Sequence, residues 1–220
     1  MSPSPPAAAP DRTAVYLLAA DLALSVLSEP AVSRSWDESS ALAGFCVSGL
    51  AGHLAGQLTS VELTLDHPVT HPGPVPLLEH YARVPWVGAD LDDERMVAIR
   101  AGGEQAAADG YEPLLARTRA ARTRLGLRLT GLPLRTVVQP PWTSWSLRLD
   151  DFLATRLMEI AVHSDDLAVS VGVETPTLPA SVADPVFDLL TRLAVRRHGQ
   201  PAVLRAFSRA ERAPVSVAAF

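Results

Sequence analysis

Between Ser39 and Val61 the chain carries no formally charged residue, yet the segment includes His53, Gln57, Thr59, several serines and the glycine pair Gly52-x-x-x-Gly56. Leu50, Leu54, Leu58 or Val61, and Leu65 recur at helical spacing and predict a helix from about Ser40 to Leu65, with His53 beside the apolar stripe. A helix with no charged face must be covered on most sides. The glycine spacing is one that membrane helix pairs use, but the histidine, glutamine and serines make the segment too polar for a bilayer span. The segment is therefore read as a helix buried inside a bundle, where small residues let neighbouring helices approach closely.

The rest of the chain supplies the neighbours. Val15, Leu18, Leu22 and Val26 follow an aspartate suited to capping and predict a first helix from Asp11 to about Ser28. The segment from Asp66 to about Asp90 is too rich in proline for one continuous helix and is read as a long crossing connection. A third helix is expected from about Leu91 to Leu125, broken near Gly102-Gly103 or Gly110. Leu127 to Val138 reads as extended, and "QPPWTSW" as a rigid approach to a fourth helix from about Leu149 to Val171, closed by Gly172. The predicted fold is all-α: a four-helix bundle over residues 11–174 with a long crossover between helices 2 and 3. Residues 1–10 are expected to be a disordered leader, and residues 175–220 a C-terminal helix, near Asp184 to Arg197, and an arm packed on the bundle.

Composition narrows the function. With 220 residues, 48% of them hydrophobic, the chain can bury one sizeable core. A net charge of -5 argues against binding a phosphate backbone, and the arginine run from Ala116 to Arg124 is expected to be a solvated helix face. Cys46 is the single cysteine, so no internal disulfide can form. It is expected to be a small core residue in a reducing, cytoplasmic protein. The first ten residues lack the basic start and apolar middle of a signal peptide. Neither nucleic acid nor membrane is an expected partner, and the protein is expected to be a monomer or homodimer.

The polar residues of "RLMEIAVHSDDL", Arg156 to Leu167, interrupt a hydrophobic run. Residues four apart on a helix stand one above the other, about 6 Å along the axis, so Glu159 and His163 project from one face. Leu149, Leu153, Leu157, Ile160, Leu167 and Val171 mark the core side, which leaves Arg156, Glu159 and His163 on its flank. A buried carboxylate needs compensation, and a metal ion, Arg156 or protonated His163 are the three candidates. His53 is the natural third ligand, because an imidazole in the middle of a charge-free helix requires a buried partner. His67, His71 and His80 lie in the proline-rich connection and His198 near "RRHG", where solvent satisfies them. Two histidines and a carboxylate suit zinc or non-haem iron with a coordination position left open.

Two stretches carry a resemblance. "GFCVSGLAGHLAGQL" resembles the segment W-x-V-x-D-L-x-x-H-L of the mycothiol-dependent maleylpyruvate isomerase family, within the DinB-like superfamily of metal-binding four-helix bundles. "WSLRLDDFLATRLMEIAVHSDDLAVSVG" resembles its later motif, in which an arginine precedes E-x-x-x-H-x-x-D-L-A. Phe45 stands where the family often has tryptophan, and Ser48-Gly49 replaces its polar or acidic residue.

The resemblance implies metal ligation, usually of zinc, by His53, Glu159 and His163. It also implies thiol transfer or thiol-assisted isomerisation, with mycothiol or a similar small thiol supplying the nucleophile and a small electrophilic metabolite as substrate. No side chain beyond the ligands of the thiol-activating metal is then required for catalysis. Arg156 or Arg148 would hold a substrate carboxylate, Trp142 and Trp145 would wall the pocket, and Asp166 would orient a ligand histidine. A metal-bearing regulatory or accessory protein and a metal-free small-molecule-binding bundle are the alternative readings.

Overall fold

The computed structural model describes residues 11–220, and the leader read over residues 1–10 lies outside the described residues. Helix α1 (Arg12–Leu27) begins at Asp11, whose carboxylate accepts the Thr13 N–H at 3.1 Å. A short α2 (Pro30–Arg34) leads towards α3 (Val47–Asp66), the charge-free helix. The connection that follows holds α4 (Leu77–Arg83) and α5 (Glu94–Ala107), before α6 (Tyr111–Leu129). A two-stranded antiparallel hairpin, β1 (Val137–Val138) and β2 (Leu147–Arg148), feeds α7 (Leu149–Ser170). Then come α8 (Ala180–His198), α9 (Gln200–Ser208) and a 3-10 turn (Ala210–Arg212).

Four helices, α1, α3, α6 and α7, form the bundle: α1 packs on α6 and α7, and α3 packs on the same two from the opposite corner. Tyr16, Leu50, Leu54, Leu58, Leu125, Leu153 and Leu157 are fully buried between them. The expected all-α bundle with its long crossover is the observed architecture, and of the two expected places for a break in the third helix the structure takes Gly110, but other local readings need correction.

The second long helix starts at Val47, not Ser40. Gly44 turns the chain at φ +81°, the bridge between Ser39 and Cys46 closes the loop, and only then does the helix begin. Cys46 is accordingly a half-buried cap, not a core residue: its sulfur accepts the Gly49 N–H at 3.4 Å.

The third helix is two helices, divided at Gly110, where φ is +97°. α6 completes the bundle, whereas α5 lies against the outside of α3. Gly102 and Gly103 do not break α5, and Gly103 serves its packing. A Cβ on Gly52 would lie 2.0 Å from the Gly103 carbonyl oxygen, and one on Gly103 would lie 2.3 Å from that of Gly49. The close approach runs through Gly49, Gly52 and Gly103; nothing lies within 4 Å of a Cβ on Gly56. This double cover explains why α3 has no charged face over most of its length: the bundle core takes one side and α5 the other.

The segment read as extended from Leu127 to Val138 is helical through Leu129, and only Val137–Val138 forms a strand. Local apolarity cannot tell a strand from a helix end that is packed. The arginines of α6 sit where a solvated face puts them: Arg122 pairs with Asp21 of α1, and Arg124 and Arg128 pair with Glu62 and Asp66 of α3. Exposed pairs of this kind contribute about 0–1 kcal/mol each, so they register the helices more than they stabilise them. Among the described residues no helix is long and apolar enough to cross a membrane.

After the bundle, α8 begins at Ala180, earlier than its amphipathic pattern indicates, and packs along α7. The following arm returns to this side of the molecule. The His198 Nε2 to Ala218 carbonyl distance is 2.8 Å, and Phe220 lies 5.4 Å from the Trp86 ring centre.

Candidate metal centre

Two helices carry the polar cluster inside this frame. α3 contributes His53, and α7 contributes Glu159 and His163 one turn apart, as their spacing requires. One ligand atom from each of the three lies within 4.8 Å of the others. His163 Nε2 is 3.1 Å from Glu159 Oε2, and His53 Nε2 is 4.0 Å from the same oxygen. The two imidazole rings meet edge to face at 4.6 Å. All three side chains are largely buried, with 13–21% of their surface exposed.

Asp166 stands behind His163, its Oδ2 2.9 Å from Nδ1. That contact directs the other ring nitrogen at Glu159 and His53, the arrangement in which a carboxylate orients a metal-ligating histidine. Burial alone would raise the Glu159 carboxyl, but the His163 hydrogen bond and the nearby cations hold it down to about 2. Burial would likewise lower His163, but hydrogen bonds to Asp166 and Glu159 raise it to about 9. His53, desolvated and beside His163, is pushed down to about 4. Without a metal the cluster is an imidazolium between two carboxylates, next to a neutral imidazole. This donor set fits a divalent cation: replacing the His163 proton leaves two neutral imidazoles and one carboxylate converging from two rigid helices.

Arg156 does not compensate Glu159 directly. Its Nη1 donates to Gln57 Oε1 at 2.7 Å, its Nε donates to Thr155 Oγ1 at 3.0 Å, and its guanidinium lies over the Phe152 ring at 5.4 Å. Among the described residues it forms no ion pair. Of the three compensations open to Glu159, protonated His163 is the one in direct contact.

Arg148 and the tryptophans are placed differently from the ligands. Arg148 is exposed at the N-terminus of α7, eleven residues before Glu159 and so about 16 Å away along the helix axis. The structure does not bring it to the cluster. Trp142 is 52% exposed, with its ring centre 6.4 Å from that of Phe152, the ring that Arg156 lies over. Trp145 is partly buried, and its Nε1 donates to His80 Nδ1 at 3.1 Å.

Sequence reasoning passes over two groups. Gln57 is buried and sits four residues after His53, so their side chains share a face of α3. It joins the Arg156 guanidinium to His53, with Gln57 Nε2 donating to the His53 carbonyl at 3.1 Å. The i, i+4 spacing is a sufficient signal for it. His80 is not in a solvated loop: α4 buries it to 4% exposure beside Tyr81, also at 4%. The short helical pattern "LLEHYAR" is hidden among prolines on both sides.

The model of one protein family, the mycothiol maleylpyruvate isomerase N-terminal domain, matches residues 17–168, a span that includes the bundle's polar cluster. No curated protein and no solved structure matches the chain significantly.

Proposed function

This chain belongs to the mycothiol maleylpyruvate isomerase N-terminal domain family, of the DinB-like superfamily, and on that premise we propose that it is a zinc-dependent enzyme using mycothiol or a similar small thiol to transfer to, or isomerise, a small electrophilic metabolite. The observation that carries the reading is the convergence of His53, Glu159 and His163 within 4.8 Å, with Asp166 behind His163. Three protein ligands are characteristic of catalytic rather than structural zinc sites. A divalent ion held by two imidazoles and one carboxylate keeps about one positive charge, which favours a thiolate ligand and lowers the thiol pKa from its ordinary value near 8.5.

The chain's own residues prepare the rest. Asp166 fixes the orientation of His163, and Gln57 lies against His53 on the opposite wall. Arg156, stacked on Phe152 and tethered by Gln57 and Thr155, offers a preorganised cation for a carboxylate on the substrate. The nucleophile comes from the small molecule, because Cys46 is occupied as a helix cap. The same chemistry suits a reducing, cytoplasmic setting.

Metal loading has an expected pH signature. His163 holds a proton below about 9, whereas His53 is neutral above about 4 and Glu159 is ionised above about 2. Binding therefore displaces one proton, and apparent zinc affinity should rise about tenfold per pH unit from pH 6 to 8, then level off above about 9. Competition titrations with a chelator of known pH dependence check the slope. A flat profile would mean that binding displaces no proton from His163.

The functional test uses untagged protein purified without chelators. Elemental analysis should find about one equivalent of zinc. The loaded protein should then consume mycothiol with chlorodinitrobenzene, or convert a maleyl compound to its fumaryl isomer only when mycothiol is present. Metal without either thiol-dependent reaction would instead indicate a regulatory or accessory protein. Less than about a tenth of an equivalent of any transition metal, after reconstitution as well, would overturn the metal reading itself.

A further inference from the structure

Two buried polar groups near the cluster have no part in metal ligation or thiol activation. His80 and Tyr81 occupy consecutive positions on α4, each 4% exposed. The Trp145 indole N–H donates to His80 Nδ1, so the neutral ring carries its proton on Nε2. Among the described residues that Nε2 has no hydrogen-bond partner, and the buried Tyr81 hydroxyl has none either. Burying a hydroxyl unpaired costs free energy, so a fold that retains one has another use for it or fills the position with a ligand.

The location of the pair supplies that use. Tyr81 packs in a small core with Met158 and, at its edge, Val162 and Trp145. Met158 and Val162 immediately precede Glu159 and His163 on α7, so Tyr81 packs on the face of α7 next to the one that carries the cluster. The charges of Arg156 and Glu159 both act on His80 and on Tyr81, in keeping with this proximity. Burial, with the Arg156 charge adding to it, pushes His80 down to about 4, which keeps the ring a neutral N–H donor at physiological pH. Burial pushes the Tyr81 hydroxyl up, which keeps it an O–H donor. Two donors that burial keeps neutral, packed against the helix that carries the candidate ligands, suit an oxygen on which negative charge develops.

We propose that His80 and Tyr81 are a pair of catalytic hydrogen-bond donors for the carbonyl oxygen of an α,β-unsaturated carbonyl substrate. The inference rests on the thiol-addition reading and assigns two further residues to it. In the step served, the thiolate sulfur forms a bond to the β-carbon, and the C=C π pair shifts to give an enolate whose oxygen accepts the N–H and O–H. Rotation about the former double bond and return of the pair expels the thiolate and yields the geometric isomer. Protonation of the α-carbon by water yields the thioether instead. Trp145 is a positioning residue, fixing which His80 nitrogen carries the proton.

Tyr81→Phe separates this role from a structural one. With the zinc-loaded chain, N-acetylcysteine as thiol and dimethyl maleate as electrophile, kcat for formation of dimethyl fumarate should fall about 10- to 100-fold. Metal content and KM for the thiol should stay unchanged. Because the fold does not pair the lost hydroxyl, Tm should stay level or rise. Full kcat in the variant overturns the proposal, as does a fall in Tm parallel to the fall in kcat, which would give the hydroxyl to the fold. If the wild-type protein shows no thiol-dependent turnover, the functional reading fails separately, and histidine-selective nitrogen NMR decides the donor pair. Crotonamide added to the zinc-loaded wild type should shift the His80 Nε2–H resonance, and should bind more weakly to Tyr81→Phe. An unmoved resonance overturns the proposal.

Discussion

Replacing Glu159 with glutamine should strip the metal from the protein while leaving the bundle folded. Glutamine keeps the size and shape of the side chain but removes the one negative charge among the three ligands, which His53 and His163 cannot replace. Losing a group that only orients a ligand costs about 10–100-fold in metal affinity. Glu159→Gln and His163→Ala, which remove ligands, should exceed that cost. Asp166→Asn, which leaves the ligands but disturbs the contact at His163 Nδ1, should fall within it. Arg156→Ala should retain the metal, because its contacts run to Gln57, Thr155 and Phe152 and not to Glu159. Metal content after dialysis against graded chelator measures all four. Equal retention by Glu159→Gln and wild type would reduce the cluster to an ion pair.

The largest effect on stability is expected from Gly52→Ala. Its new methyl would meet the Gly103 carbonyl oxygen at 2.0 Å, a backbone atom that cannot swing aside. α5 must then lift from α3, at a cost of about 2–3 kcal/mol, or roughly 5–10 °C in Tm. Gly56→Ala is the internal control, because nothing lies within 4 Å of its added Cβ. It should be neutral or stabilising by up to about 1 kcal/mol through helix propensity. Thermal unfolding of the two variants tests whether the glycine contact, and not glycine content, sets the packing. The contact also bears on the site, since a Cβ on Gly103 would approach the His53 Cβ at 3.3 Å. Displacing α5 should therefore weaken metal retention as well as stability.

The two helices that carry the cluster differ in how openly the sequence declares them. α7 is readable to within a residue or two, because its leucine stripe is continuous and Gly172 ends it. α3 is readable in its body and not at its start, because the same apolar, uncharged composition serves both the 39–46 loop and the helix that follows. The break between α5 and α6 is legible only as a choice between Gly102-Gly103 and Gly110, since alanine- and arginine-rich sequence propagates helix on both sides and only the turn at φ +97° fixes it at Gly110. α4 is lost among prolines, and His80 and Tyr81 with it. Their burial comes from α7, α8 and the 137–148 hairpin, elements remote along the chain.

The sequence by itself determined the helical class of the fold, the shared face of Glu159 and His163, and the need of His53 for a buried partner. These follow from helical periodicity and from the cost of burying polar groups, both of which act locally. Only the tertiary structure decided that His53 meets that face within 4.8 Å, that Arg156 turns to Gln57 rather than to Glu159, and that Arg148 stays out at the helix start. It also decided that α5 sheathes the charge-free helix, through a carbonyl-to-glycine approach that no spacing rule encodes. Contacts between distant segments depend on how whole helices pack, and side-chain chemistry takes effect only after that packing has chosen its neighbours.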